Sequence, residues 1–159
     1  MKNKIKCEYC SKGERKGLRN LHDFVCETKY WEVYLSYNQC YLGRCIIALK
    51  RHSENLSDLN KKEWEDFAKL IRRMESALKK AFDATMFNWT CLMNSAYKSK
   101  KPNPHVHWYF GPRYNHEVKF AGAIFKDLEF GKHYSIERAQ IVKKEVCKKI
   151  IQRIKECLE

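Results

Sequence analysis

The sequence of 159 residues contains no run approaching the roughly 18 consecutive apolar residues of a membrane-spanning helix. Its basic start, Met1-Lys-Asn-Lys-Ile-Lys6, is not followed by the apolar core of a secretory signal. Internal repeats, low-complexity stretches and linkers are missing. So is a glycine-rich phosphate loop of the P-loop or dinucleotide-binding type. These absences argue against a helical membrane protein, a repeat array and the two common loop-based nucleotide folds. The expectation is a cytoplasmic chain with no membrane partner, forming one domain over residues 1–159.

What is present suits a folded domain. An apolar share of 44% with 13% aromatics supplies enough core material to argue against global disorder. The formal charge of +13 attracts phosphate or nucleic acid, although much of the lysine lies on solvated helix faces. Eight cysteines in a reducing compartment point to metal binding or plain burial. Cys26, Cys45 and Cys91 lie in apolar strand-like runs, and Cys147 and Cys157 on an apolar helix face, so all five read as buried small hydrophobes. Cys7-Glu-Tyr-Cys10 differs, because two thiolates at this spacing can share one zinc ion. Tetrahedral zinc needs two further ligands, for which His22, His52, His105, His116 and His133 are available.

Alternation predicts strands over residues 23–28 and 31–36, a short apolar β-branched run predicts a buried strand over 43–49, and residues 85–93 and 105–110 read as two further strands. Between the third and fourth lies a long helix, with Ser57 as N-cap, Asp58 in its first turn, and Trp64, Phe67, Ile71, Met74, Leu78 and Ala81 forming one apolar stripe. A second helix is expected from about residue 135, with Ile141, Val142, Val146, Ile150, Ile151, Ile154 and Leu158 as its apolar positions. Interspersed strands and helices with short connections give an α+β fold on a mostly antiparallel sheet. Residues 1–20 form a polar arm around the cysteine pair, and residues 114–159 a C-terminal extension.

The chemistry concentrates in Pro104-His-Val-His-Trp-Tyr-Phe110. On a strand, His105, His107 and Tyr109 share one face, while Val106, Trp108 and Phe110 turn to the core. A neutral imidazole held rigidly on a strand can attack phosphorus.

His105-Val-His107-Trp-Tyr109-Phe-Gly-Pro-Arg113 resembles the histidine-triad motif, His-φ-His-φ-His-φ-φ, with the Pro-Arg that follows it in the bacterial branch. Gly43-Arg-Cys-Ile-Ile-Ala-Leu-Lys-Arg-His52 resembles the family strand that ends in Lys-x-His, and Asn94 stands where the family has an asparagine before the motif strand. The ordered resemblance spans roughly residues 5–113. It implies a histidine-triad-like α+β fold, often homodimeric, in a zinc-bearing branch related to dinucleoside polyphosphate hydrolases. His107 then attacks an α-phosphate and forms a nucleotidyl-histidine intermediate, which water or another acceptor resolves. Tyr109 and Asn94 orient the site and bind phosphate, and Arg113 supports the strand end or the ligand. The implied zinc ligands are Cys7, Cys10, His52 and His105. With all four places filled by protein, the zinc is structural.

Two departures stand out. Tyr109 replaces the third histidine; its hydroxyl can donate to a phosphate oxygen but brings no positive charge. Lys100-Lys-Pro-Asn-Pro104 replaces the Gly-Gln and Ser/Thr pattern before the motif. The implied substrates are dinucleoside polyphosphates, nucleoside phosphoramidates or nucleotide sugars. The alternative is a nucleotide- or RNA-binding protein on the same fold with weakened catalysis, for which Trp108-Tyr-Phe110 would supply stacking surfaces.

Overall fold

A computed structural model describes Cys7, Tyr9 and residues 23–133 and 137–159. In chain order the elements are β1 (Asp23–Glu27), β2 (Trp31–Leu35), β3 (Cys45–Leu49), α1 (Lys61–Phe82), β4 (Met86–Thr90), β5 (His107–Arg113), β6 (Val118–Phe120), β7 (Ala123–Phe125) and α2 (Lys144–Leu158). The first five strands make one sheet in the order β1-β2-β3-β5-β4, with every pairing antiparallel. β6 and β7 form a separate ribbon. The chain is thus α+β, as its pattern of elements predicts. No helix among the described residues is long and apolar enough to cross a membrane.

Strand alternation gives the sheet two different faces. Trp31, Val33, Leu35, Cys45, Ile47, Leu49 and Phe110 bury one face against Phe67, Leu70, Met74, Ala77 and Leu78 of α1. Cys147, Ile150 and Ile154 of α2 join the same core. Each such aliphatic side chain contributes about 1.5–3 kcal/mol by leaving water, which is why the heptad-like stripes of both helices settle here. The opposite face carries Ile46 and Ala48 of β3, paired across the ladder with Tyr109 and His107 of β5. The fold therefore sorts one strand's side chains into core and site.

The helix boundaries differ from the sequence expectation, for local reasons. α1 is capped by Asn60, not Ser57, which lies in the 3-10 turn Leu56–Asp58. Asn60 Oδ1 accepts from the Glu63 backbone N–H at 3.1 Å, and Glu63 Oε2 accepts from that of Asn60 at 2.9 Å. Ser57 has no Glu or Gln three residues on to make this reciprocal pair. Glu63 also receives Arg51 Nε at 2.6 Å and Nη2 at 2.9 Å, and this guanidinium holds its carboxyl below the ordinary value of 4.5. Such a depressed carboxylate stabilises the fold above its unfolded pKa, and that stability is lost as the pH falls through the folded value. Glu63→Gln is expected to lower the melting temperature near neutral pH and to flatten the loss of stability below about pH 4.5. Thermal melts of both proteins between neutral and acid pH test this; parallel curves would contradict it.

The second helix starts at Lys144, not near residue 135. The described residues before it are held in other ways. The Gln39 N–H donates to the Gln140 carbonyl at 2.9 Å, the Gln140 N–H donates to Asn38 Oδ1 at 3.0 Å, and Asn38 pairs with Ile141 as an isolated bridge. Arg138 is drawn to Glu129 at 2.9 Å. Ile141, expected on the helix face, is 64% exposed.

Gly43 makes the turn into β3. Its φ is +81°, and a Cβ there would lie 2.4 Å from Leu78 Cδ1 in the core. Gly43→Ala combines left-handed strain with overpacking and is expected to cost about 2 kcal/mol, read as a lower urea midpoint with an unchanged slope.

Candidate active site

The start of β5 is tied to two other segments before its side chains are considered. The Val106 N–H donates to the Ser53 carbonyl at 2.9 Å, and the Val106 carbonyl accepts from the Leu49 N–H at 3.2 Å. These bonds fix the backbone of the His105–His107 stretch against the end of β3.

Each buried imidazole meets a carbonyl, and a carbonyl only accepts. His105 Nε2 lies 2.8 Å from the Leu49 carbonyl, so Nε2 carries the proton and Nδ1 the lone pair. His107 Nδ1 lies 2.7 Å from the His105 carbonyl, which places the proton on Nδ1 and the lone pair on Nε2. β5 and the segment just before it thus hold two histidines, two residues apart, in opposite tautomers. Burial pushes His105 down to about 4, so it is neutral near pH 7. The Tyr9 ring stacks over both, at 4.3 Å from His107 and 5.2 Å from His105 between centroids.

The His105 lone pair points into a cluster with Cys7 and His52. Its Nδ1 is 3.5 Å from Cys7 Sγ and 3.3 Å from His52 Nδ1. Around a tetrahedral zinc with ordinary bond lengths, two nitrogens lie about 3.3 Å apart and a nitrogen and a sulfur about 3.5 Å apart. The three donors therefore fit zinc in identity, tautomer and spacing. Cys10 lies outside the described residues. His116 lies apart from this cluster, hydrogen-bonded through Nδ1 to Asn115 and near Asp83 at 3.9 Å.

The other expected site residues divide. Tyr109 is on the His107 face, with ring centroids 5.1 Å apart. Asn94 is exposed in the 3-10 turn Asn94–Lys98, beyond the end of β4. Arg113 is buried, and all five of its N–H groups meet protein acceptors. Nε and Nη2 reach the Asp127 carboxylate at 2.5 and 3.0 Å, Nη2 also reaches the Glu129 carbonyl at 2.6 Å, and Nη1 reaches Asn88 Oδ1 and the Lys132 carbonyl at 3.2 Å each. This pattern pins the 127–132 segment onto the end of β5.

Tyr41, Arg44, Asn88, Thr90 and Gly111 line a cavity next to Tyr109 that the motif-based reading does not include. Part of it has a sequence signal. Phe87 and Trp89 pack on the core, so strand alternation sends Asn88 and Thr90 to the His107 face. Arg44 falls at the start of the segment predicted as a strand and lies directly before β3, whereas Tyr41 comes from the preceding turn, whose path no periodicity reveals.

No protein-family model and no curated protein matches the sequence. Solved structures do. A hypothetical histidine triad nucleotide-binding protein from Sulfolobus tokodaii superposes with a TM-score of 0.62 at 20% identity, covering 88% of this chain and 86% of its own. A zinc-bound histidine triad family protein from Mycobacterium smegmatis gives 0.56 at 16% identity, with 85% of each chain covered. The Plasmodium falciparum diadenosine triphosphate hydrolase gives 0.56 at 17% identity, covering 84% of this chain and 74% of its own. These likenesses cover more than four fifths of the chain, and they establish that it has the histidine-triad fold.

Proposed function

We propose that the protein is a nucleotide phosphate hydrolase or nucleotidyl transferase that works through His107. The observation that carries this reading is the 2.7 Å contact between His107 Nδ1 and the His105 carbonyl, which leaves a lone pair on Nε2 of a rigidly held imidazole. In the proposed reaction Nε2 bonds to the α-phosphorus, and the bond from phosphorus to the leaving group breaks. Water or another acceptor then attacks the same phosphorus, the nitrogen–phosphorus bond breaks, and the imidazole returns. Tyr109, beside His107, donates to a phosphate oxygen. Arg113 supports the strand end, and Asn94 is retained as a contact made on the solvent side of the turn.

The proposal includes a structural zinc held by Cys7, Cys10, His52 and His105. When bound, the metal would tie the N-terminal arm to β5 and hold Tyr9 over the two imidazoles. The buried, neutral His105 suits this role, since a ligand must offer a lone pair. Cytoplasmic location and a homodimer complete the reading. The free thiols of the described cysteines fit a reducing compartment.

RNA stacking by the motif aromatics is the weaker reading. The Trp108 ring packs on Phe67 at 4.9 Å, and Phe110 is fully buried against Trp89 at 4.3 Å. Phe110 presents no free face to a base, and Trp108 spends one face on Phe67.

The test is release of AMP or UMP from a panel of dinucleoside polyphosphates, nucleoside phosphoramidates and nucleotide sugars. Turnover of at least one class supports the proposal. A folded, zinc-loaded protein that releases nothing from any class would refute it for these substrates.

A further inference from the structure

The cavity beside Tyr109 belongs to the His107 face but uses neither histidine. Gly111 forms its floor: a Cβ there would meet no atom within 4 Å, so the missing side chain leaves space above β5. Asn88 and Thr90 border it from β4, and Arg44 and Tyr109 from the other side.

Its charge is set by one residue. Arg113 is neutralised by Asp127. It also occupies Asn88 Oδ1, which leaves the amide NH2 as the end that can serve a ligand. Arg44 is half-buried, and among the described residues it has no carboxylate partner. Its Nη1 lies 3.7 Å from Cys40 Sγ, and its guanidinium carbon stands 5.9 Å from the Tyr109 ring centroid. The backbone beneath it is fixed. The Arg44 N–H donates to the Tyr41 carbonyl at 3.0 Å, and its carbonyl accepts from the Ser36 N–H at 2.9 Å and Gln39 Nε2 at 3.1 Å. Among the described residues this guanidinium lines the cavity with an amide and hydroxyls and pairs with no acid, and such a group selects an anion.

The catalytic face is also sided. Tyr9 and Phe24 pack on Tyr34 and Ala48 to make an apolar, aromatic region on the β1–β3 side of His107. The cationic cavity lies beyond Tyr109, toward β4. A nucleoside suits the first region and a phosphate chain the second.

We propose that Arg44 binds the phosphate on the leaving-group side, so that the preferred substrates carry a polyphosphate chain and not a neutral amine leaving group. This rests on His107 as nucleophile. As Nε2 bonds to the α-phosphorus, the bond to the bridging oxygen breaks, and its electron pair leaves with the departing phosphate. Arg44 stabilises that anion, supplying the positive charge that Tyr109 lacks.

Pyrophosphate binding by calorimetry, and kcat/KM on a dinucleoside triphosphate and on a nucleoside phosphoramidate, should be measured for wild type, Arg44→Gln, Arg44→Lys and His107→Ala. Arg44→Gln is expected to weaken pyrophosphate binding and kcat/KM on the polyphosphate by about 10- to 100-fold, while staying within about threefold on the phosphoramidate. Arg44→Lys should restore part of the loss. Wild-type pyrophosphate affinity in Arg44→Gln, or equal losses on both substrates, would overturn the proposal. His107→Ala separates the two claims: it should lose turnover yet bind pyrophosphate as wild type does. Turnover in that variant would refute His107 as nucleophile, while the pyrophosphate data would still decide Arg44.

Discussion

His107→Ala should lose turnover by a factor on the order of 10³ or more on every substrate the wild type accepts, with little change in melting temperature. The size follows from the role. Removing a nucleophile removes the covalent route entirely and leaves only binding and positioning. The small stability change follows from the surroundings. His107 faces Tyr9 and the paired Ala48, not the core formed by Trp31, Ile47, Phe67 and Leu70. Zinc content should be unchanged, because the variant keeps Cys7, His52 and His105. Product release with purified protein, beside a melt and a metal assay, checks all three. A variant that kept a tenth or more of the activity would remove His107 from the mechanism.

Cys7→Ser should abolish stoichiometric zinc and lower the melting temperature by about 10 °C. Loss of the metal would uncouple the arm from His52 and His105, whose Nδ1 atoms lie only 3.3 Å apart and would then face each other without a shared cation. His52→Ala should do the same. His116→Ala should leave zinc content untouched, since that ring is engaged with Asn115 and Asp83. Elemental analysis of the purified variants reads this directly. One zinc per chain in Cys7→Ser would contradict the assigned donor set.

The legible parts of the sequence were those governed by period. Alternation in His105–Phe110 separates the His107 face from the core face, with Phe110 buried and His107 opposite Ala48. The apolar stripe of α1 finds Phe67, Met74 and Leu78 in the core, but Trp64 is exposed, and Leu70 and Ala77, outside the stripe, are buried. Boundaries were less legible. Asn60 wins the cap because Glu63 can answer it, a reciprocity that Ser57 lacks. The start of α2 depends on bonds from Asn38 and Gln39, about a hundred residues earlier, which no local pattern encodes. The same holds for the site. Motif spacing reaches His105 and His107, but the engagement of Arg113 depends on Asp127 and Glu129 in a segment without periodic cues. Arg44 lies in the strand segment that ends in Lys-x-His, yet gains its meaning only from the fold, which places it over Tyr109 with no acid paired to it among the described residues.

The central claim is that phosphorus is attacked twice, first by His107 and then by water. The most direct measurement is the stereochemical course at an α-phosphorus made chiral with sulfur and oxygen isotopes, during hydrolysis by the wild-type protein. Two in-line displacements predict net retention of configuration. Net inversion would mean a single attack by water and would contradict the nucleotidyl-histidine intermediate.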